Sequence, residues 1–198
     1  VIDFVSAFGK ITKDSVAGGV GEPMVLRDWQ KELIRYLFAH NEQGYLRNRI
    51  ALVGMPRKSG KSALSSALAL YHLTLTPSAE VYSLASEKEQ ARIVFGETKK
   101  MVEQNPELMS MAKIYRDAIE IPETGSVYRV RSAESASAEG YSPTAVIYDE
   151  LHTAPNRELF DVFSLAMGAR KSAQMIAITT AGVKQDNSGQ DSIAYNLY

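Results

Sequence analysis

Two groups of residues in this sequence have the types and spacing to do chemistry. The first is Gly54-Met55-Pro56-Arg57-Lys58-Ser59-Gly60-Lys61-Ser62, between an apolar run at 49–53 and an Ala/Leu-rich stretch from Ser62. A loop that leaves a strand and enters a helix is the setting in which phosphate is held. Gly60 lets the backbone approach an anion, and successive N–H groups at a helix start point at its oxygens. Lys61 supplies the positive charge for the β and γ oxygens of a nucleoside triphosphate. The Ser62 hydroxyl can hold Mg²⁺. Lys58 and Ser59 complete the cradle, and Arg57 lies where it can add positive charge beside a γ-phosphate. The usual pattern has a further glycine where this chain has Met55, with Gly54 one residue too early. Such a loop still closes if residue 55 needs no left-handed backbone.

The second group is Ala145-Val146-Ile147-Tyr148-Asp149-Glu150, an apolar run ending in two carboxylates. In a parallel sheet, ligands collect at the carboxyl ends of strands. Asp149 there can reach Mg²⁺ through water. Strand alternation sends the next side chain the other way, where Glu150 can polarise an attacking water. The phosphate loop is the strong signal and an Asp-Glu after a strand alone a weak one; together they describe ATP hydrolysis. A Glu after the Asp favours hydrolysis over mere binding.

Other positions support this reading. Gln30, in Leu26-Arg27-Asp28-Trp29-Gln30, has the paired donor and acceptor that read an adenine edge. Trp29 beside it reads as core. Thr179-Thr180-Ala181-Gly182 ends the last apolar run, where two hydroxyls can sense the γ-phosphate or its water. Arg129 and Arg131 share a strand face before the acidic pair; the first reading is a solvated face, the second a neighbouring subunit's ATP or DNA phosphate. His152 follows the acidic pair with no second His or Cys at ligand spacing, so Mg²⁺ carried with ATP is the metal expected.

These residues need a scaffold that puts strand ends side by side. Apolar residues at helical spacing predict a helix over 27–39, from Trp29, Leu33, Ile34, Leu37 and Phe38. Helices are also expected over 62–75, 87–104 and 156–168. Strands are expected over 49–53, 81–84, 145–148 and 175–179. Residues 113–130 alternate and turn at Glu123-Thr124-Gly125, a hairpin. Residues 1–26 read as mixed loop, and 132–140 as a small polar loop. Strands separated by helices predict a mainly parallel central sheet with helices on both faces.

The chain has 198 residues and no cysteine. That length suits one α/β domain, here 1–198, and excludes disulfides and thiolate metal sites. No apolar run approaches the roughly 18 residues that span a membrane. The net charge of −1 argues against a strongly basic DNA-coating protein but leaves room for a few local phosphate contacts. The start at Val1 and the abrupt end at Tyr198 read as a piece of a longer protein.

The set resembles the ATPase domain of the large terminase subunit, the DNA-packaging motor of tailed bacteriophages. Pro23-Met24-Val25-Leu26-Arg27-Asp28-Trp29-Gln30 looks like that family's adenine motif. Arg57-Lys58-Ser59-Gly60-Lys61-Ser62 looks like its deviant Walker A, in which the absent first glycine is expected. Ile147-Tyr148-Asp149-Glu150-Leu151-His152 looks like its Walker B, and Ile178-Thr179-Thr180-Ala181-Gly182 like its coupling motif. The resemblance implies a P-loop NTPase fold of the ASCE type, with a strand inserted between the phosphate-loop strand and the acidic strand. It implies a homo-oligomeric ring on a portal vertex that drives double-stranded viral DNA into a procapsid in the host bacterial cytoplasm, with a small terminase subunit as partner. It implies a C-terminal RNase H-like nuclease, absent from these residues. It also implies an arginine supplied in trans, for which Arg129, Arg131, Arg170 or a residue beyond 198 are the candidates. Two other readings stay open. Asp149-Glu150-Leu151-His152 fits the D-E-x-H box of a superfamily 2 helicase, and a phosphate loop also suits an assembly module that binds ATP without hydrolysing it.

Overall fold

The structure, a computed structural model, describes residues 1–132, 140–180 and 191–196. Among these, seven strands form one sheet in the order β1-β7-β6-β2-β5-β4-β3. The strands are β1 (Ile50–Gly54), β2 (Glu80–Ala85), β3 (Lys113–Ile114), β4 (Ala118–Ile121), β5 (Ser126–Ser132), β6 (Ala145–Asp149) and β7 (Gln174–Thr179). β1, β7, β6, β2 and β5 run parallel; β4 and β3 continue the sheet antiparallel. The hairpin expected at 113–130 is thus β4 and β5, turning through 122–125. β7 lies between the phosphate-loop strand β1 and the acidic strand β6, the insertion the family resemblance called for.

The helices are α1 (Ile2–Phe8), α2 (Asp28–Leu37), α3 (Lys61–Leu75), α4 (Lys88–Glu103), α5 (Pro106–Met111), α6 (Glu158–Ala166) and α7 (Ile193–Asn196). Alternation along the central strands sorts the interior into two cores. Val53, Val81, Ile147, Ile176 and Ile178 face a core closed by Leu64, Leu68 and Leu73 of α3 and Val94 and Phe95 of α4. Tyr82, Leu84, Val146, Tyr148 and Met175 face a second core closed by Leu159, Phe160 and Phe163 of α6. α3 contacts both its strands and α4, so it is buried around most of its girth, which its Ala/Leu-rich sequence permits.

Two expectations need correction, and one helix, α5, had no counterpart in the sequence reading. Residues 1–26 contain α1, whose Val5 is fully buried. α5 begins at Pro106, a residue that tolerates the first helical position because its missing N–H has no partner there. Trp29 is not core: the inner face of α2 is Gln30, Ile34 and Leu37, and Trp29 sits off that face at 40% exposure. The loop at 132–140 lies mostly outside the described residues. Among the described residues no helix is long and apolar enough to cross a membrane.

Candidate functional site

The carboxyl ends of β1, β7 and β6 meet. Gly54 pairs with Thr179 and Asp149 with Ile178, so phosphate loop, coupling threonines and acidic pair share one edge. Met55 continues the ladder by donating its N–H to the Thr179 carbonyl at 2.9 Å, while its side chain is 6% exposed in the core. The missing glycine is therefore a packing residue. Left-handed backbone falls instead at Lys58 (φ 64°) and Gly60 (φ 82°). Ser59 Oγ closes the loop onto the Pro56 carbonyl at 2.7 Å. Arg57 and Lys58 are exposed, and neither makes an ion pair among the described residues.

Lys61 opens α3, and its ammonium contacts Glu150 Oε1. Ser62 follows, partly exposed at the head of the same helix. Gln30 is brought to the loop as well: its Nε2 lies 3.9 Å from where a Cβ on Gly60 would sit. Its Oε1, however, accepts the Arg27 N–H at 2.8 Å. One of the two functions expected to read a base is thus already engaged in starting α2.

Asp149 ends β6 on the α3/α4 side of the sheet and is 2% exposed. Gln90 of α4 donates to its Oδ2 at 2.8 Å. Burial pushes the Asp149 carboxyl above its ordinary range, and the Gln90 bond opposes this only in part. Glu150 departs from the expected alternation. β6 stops at Asp149, and Glu150 takes a left-handed conformation (φ 50°, ψ 50°), so its carboxylate turns back to Lys61 on the same side as Asp149. A non-glycine residue held there costs roughly 1–2 kcal/mol, strain that concentrates at functional sites. Burial pushes the Glu150 carboxyl up, but the hydrogen bond and charge of Lys61, with His152, outweigh it and hold the group below its ordinary value.

The coupling threonines reach the acidic pair directly. Thr180 Oγ1 lies 3.4 Å from Glu150 Oε2. Thr179, 1% exposed, holds its hydroxyl against His152. Ala181 and Gly182 lie outside the described residues. Sequence reading passed over Gln90 and left His152 without a role. Only the D-E-x-H spacing hinted at the latter.

The three arginine candidates fare differently. Arg170 is committed at the opposite end of the sheet, where it donates to the Ser142 and Ser78 carbonyls and pairs with Glu80. Its side chain is held by its own subunit, away from the phosphate loop. Arg131 packs over the Tyr141 ring and donates to that hydroxyl. Arg129 lies beside Tyr82.

Mg²⁺ fits these residues in a limited way. Among the described residues no cluster of three or more His, Cys, Asp or Glu stands ready to hold a metal unaided. A buried carboxylate and a helix-head hydroxyl are what an ion carried in by phosphates requires.

The sequence matches the family described as terminase large subunit, ATPase domain, over residues 28–196. It is 30% identical over 188 residues to the large subunit of terminase from Enterobacteria phage HK97, covering 91% of this chain and 36% of that protein. The crystal structure of the HK97 bacteriophage large terminase superposes with a TM-score of 0.76 at 28% identity, over 90% of this chain and 36% of that one. The ATPase domain of the Thermus phage P74-26 large terminase shares the fold, with a TM-score of 0.57 at 21% identity over 79% of this chain and 70% of that one. The chain thus spans about a third of the HK97 protein's length. The seven-stranded α/β sheet is that of the terminase ATPase domains, which have a P-loop NTPase fold.

Proposed function

The chain belongs to the terminase large subunit ATPase family, and from that premise we propose that it hydrolyses ATP with Mg²⁺ to drive double-stranded viral DNA into a procapsid. The observation that carries the catalytic part is the meeting of Lys61 and Glu150 beside Asp149 at the strand ends. Phosphates lie on the 54–62 loop, against the N–H groups around Lys58, Ser59 and Gly60. Lys61 leaves Glu150 for the phosphate oxygens, and Arg57 adds charge at the γ-phosphate. Ser62 and Asp149 are the residues that would hold Mg²⁺. The ion, when bound, neutralises charge on the β and γ oxygens. Glu150 orients a water and takes its proton as the water oxygen bonds to the γ-phosphorus. The bond from that phosphorus to the bridging oxygen breaks, leaving ADP and phosphate. Gln30 offers the adenine its amide N–H. Thr180 and Thr179 sense whether Glu150 is engaged and pass that to the parts that grip DNA.

The wider assembly follows the family: a homo-oligomeric ring docked on the portal of a procapsid in the host bacterial cytoplasm, recruited with a small terminase subunit. A nuclease domain beyond 198 belongs to the same picture. Family membership favours this over a helicase. A base placed on Lys61 favours it over a module that only binds nucleotide.

The test is Glu150→Gln in the full chain. ATP binding should persist, since Lys61 loses only its competitor for the phosphates. Hydrolysis should fall about 100-fold or more, the contribution of a placed general base. Turnover equal to the parent removes Glu150 from the mechanism.

A further inference from the structure

The geometry points to His152 as a positioning residue for hydrolysis, a bridge that fixes one oxygen of Glu150 to the end of β7 so that the other is the one presented to water. This rests on the catalytic reading of Glu150 given above.

One proton decides the arrangement. Thr179 Oγ1 donates to the Thr180 carbonyl at 2.9 Å, which uses the only hydrogen a threonine hydroxyl has. Toward His152 Nδ1, 2.9 Å away, Thr179 Oγ1 can therefore only accept. Glu150 Oε2 lies 3.2 Å from the same Nδ1, and an ionised carboxylate also only accepts. Thr179 Oγ1 takes the single Nδ1 hydrogen, which sets the imidazole tautomer, and Glu150 Oε2 lies beside that N–H as a close electrostatic contact. The His152 backbone N–H adds a long contact to Thr179 Oγ1 at 3.4 Å.

The bridge is anchored at both ends. On one side, residues Leu151–Thr153 form a 3-10 turn, and the Thr153 N–H and hydroxyl both donate to the Glu150 carbonyl at 2.9 Å. Ser86, just past β2, bonds the same Thr153 hydroxyl at 3.0 Å. On the other side, the Thr179 carbonyl receives the Met55 N–H that starts the phosphate loop. One threonine thus ties the loop through its backbone and the catalytic carboxylate through its side chain.

The two oxygens of Glu150 are held by different partners. Oε1 is held by Lys61, Oε2 by His152 and Thr180. When phosphates draw Lys61 away, Oε1 is the oxygen set free. With Oε2 still held, the freed oxygen cannot swing, and a general base misplaced by an ångström loses about 100-fold in rate.

The experiment measures ATP hydrolysis in the full-length chain carrying His152→Ala, His152→Asn or Glu150→Gln. His152→Ala should lower kcat about tenfold or more with KM and the affinity for a non-hydrolysable ATP analogue unchanged. His152→Asn places an amide N–H near the Nδ1 position and should recover most of that loss. Parental kcat in His152→Ala overturns the bridge, as does a loss that Asn does not restore. A fall in kcat accompanied by equally weakened nucleotide binding overturns it too, because that pattern marks a merely structural residue. Glu150→Gln separates the two claims. If it turns over like the parent, the catalytic reading itself fails. If it is inactive while His152→Ala is normal, only the bridge fails.

Discussion

At the scale of single residues, Lys61 and Met55 occupy one loop but do opposite things. Lys61 carries a charge paired with Glu150. Its ammonium sits on Glu150 and is displaced only by something more strongly negative, which a triphosphate is. Charge-assisted hydrogen bonds contribute roughly 1.5–3 kcal/mol, so Lys61→Ala should weaken ATP about 10- to 100-fold. Titration with a non-hydrolysable analogue measures this, and an unchanged dissociation constant rejects the phosphate-loop assignment. Met55 is a fixed hydrophobe. Its backbone is tied to Thr179, and its side chain is closed into the core. Met55→Gly restores the commoner loop spelling yet removes that side chain, so it should cost about 2–5 kcal/mol of stability without tightening ATP. Urea unfolding alongside the same titration checks both halves. A tighter-binding, equally stable variant would show that the loop wants glycine there after all.

At the scale of elements, the sequence was legible wherever pattern and local chemistry agree. The parallel strands and α2, α3 and α4 lie within a residue or two of their expected bounds because alternation and helical spacing report directly on which face is buried. α1 and α5 were not legible: each is a turn or two long, too short for a period to show, and packing rather than propensity holds them. The contacts of His152 and Gln90 were hidden for a different reason. They join residues 27 and 59 positions apart, and only the strand order makes them neighbours. The junction of α3 and β7 carries a prediction that was equally invisible. His72 of α3 stacks on Phe38 with centroids 5.5 Å apart. Its Nε2 and the Gln174 Oε1 of β7 are both buried without a hydrogen-bond partner among the described residues. Burial lowers the His72 pKa from 6.5 to about 4, with Gln174 opposing in part. The sign follows from which state takes the proton. Above pH 6.5 His72 is neutral folded and unfolded, so it costs nothing. Between 6.5 and about 4 the unfolded chain protonates and the folded one does not, so stability drops as pH falls, then levels. At about 1.4 kcal/mol per pH unit the loss reaches about 3 kcal/mol. Urea unfolding at neutral pH and near the lower limit should show His72→Leu losing less stability than the parent by that amount. Identical losses would mean that His72 titrates alike in both states.

At the scale of the whole molecule, the positive charges this chain brings to the proposed site are few beside those that phosphoryl transfer uses. Among the described residues, Lys61 is the one Lys or Arg paired with the acidic dyad. Arg57 lies on the loop, Arg170 is clamped at the opposite end of the sheet, and Arg131 is stacked on Tyr141. An arginine brought by a neighbour typically raises phosphoryl-transfer rates by about a thousandfold or more. Hydrolysis per subunit should therefore rise with protein concentration and reach a plateau as rings fill. The rise has a sharper signature than mass action alone. Subunits carrying Lys61→Ala bind ATP poorly yet keep every arginine, so adding them in excess to dilute parent protein should stimulate the parent's own sites. A flat concentration profile and no stimulation would place the complete catalytic site within one chain, and Arg57 would then have to supply alone the positive charge that the transition state requires.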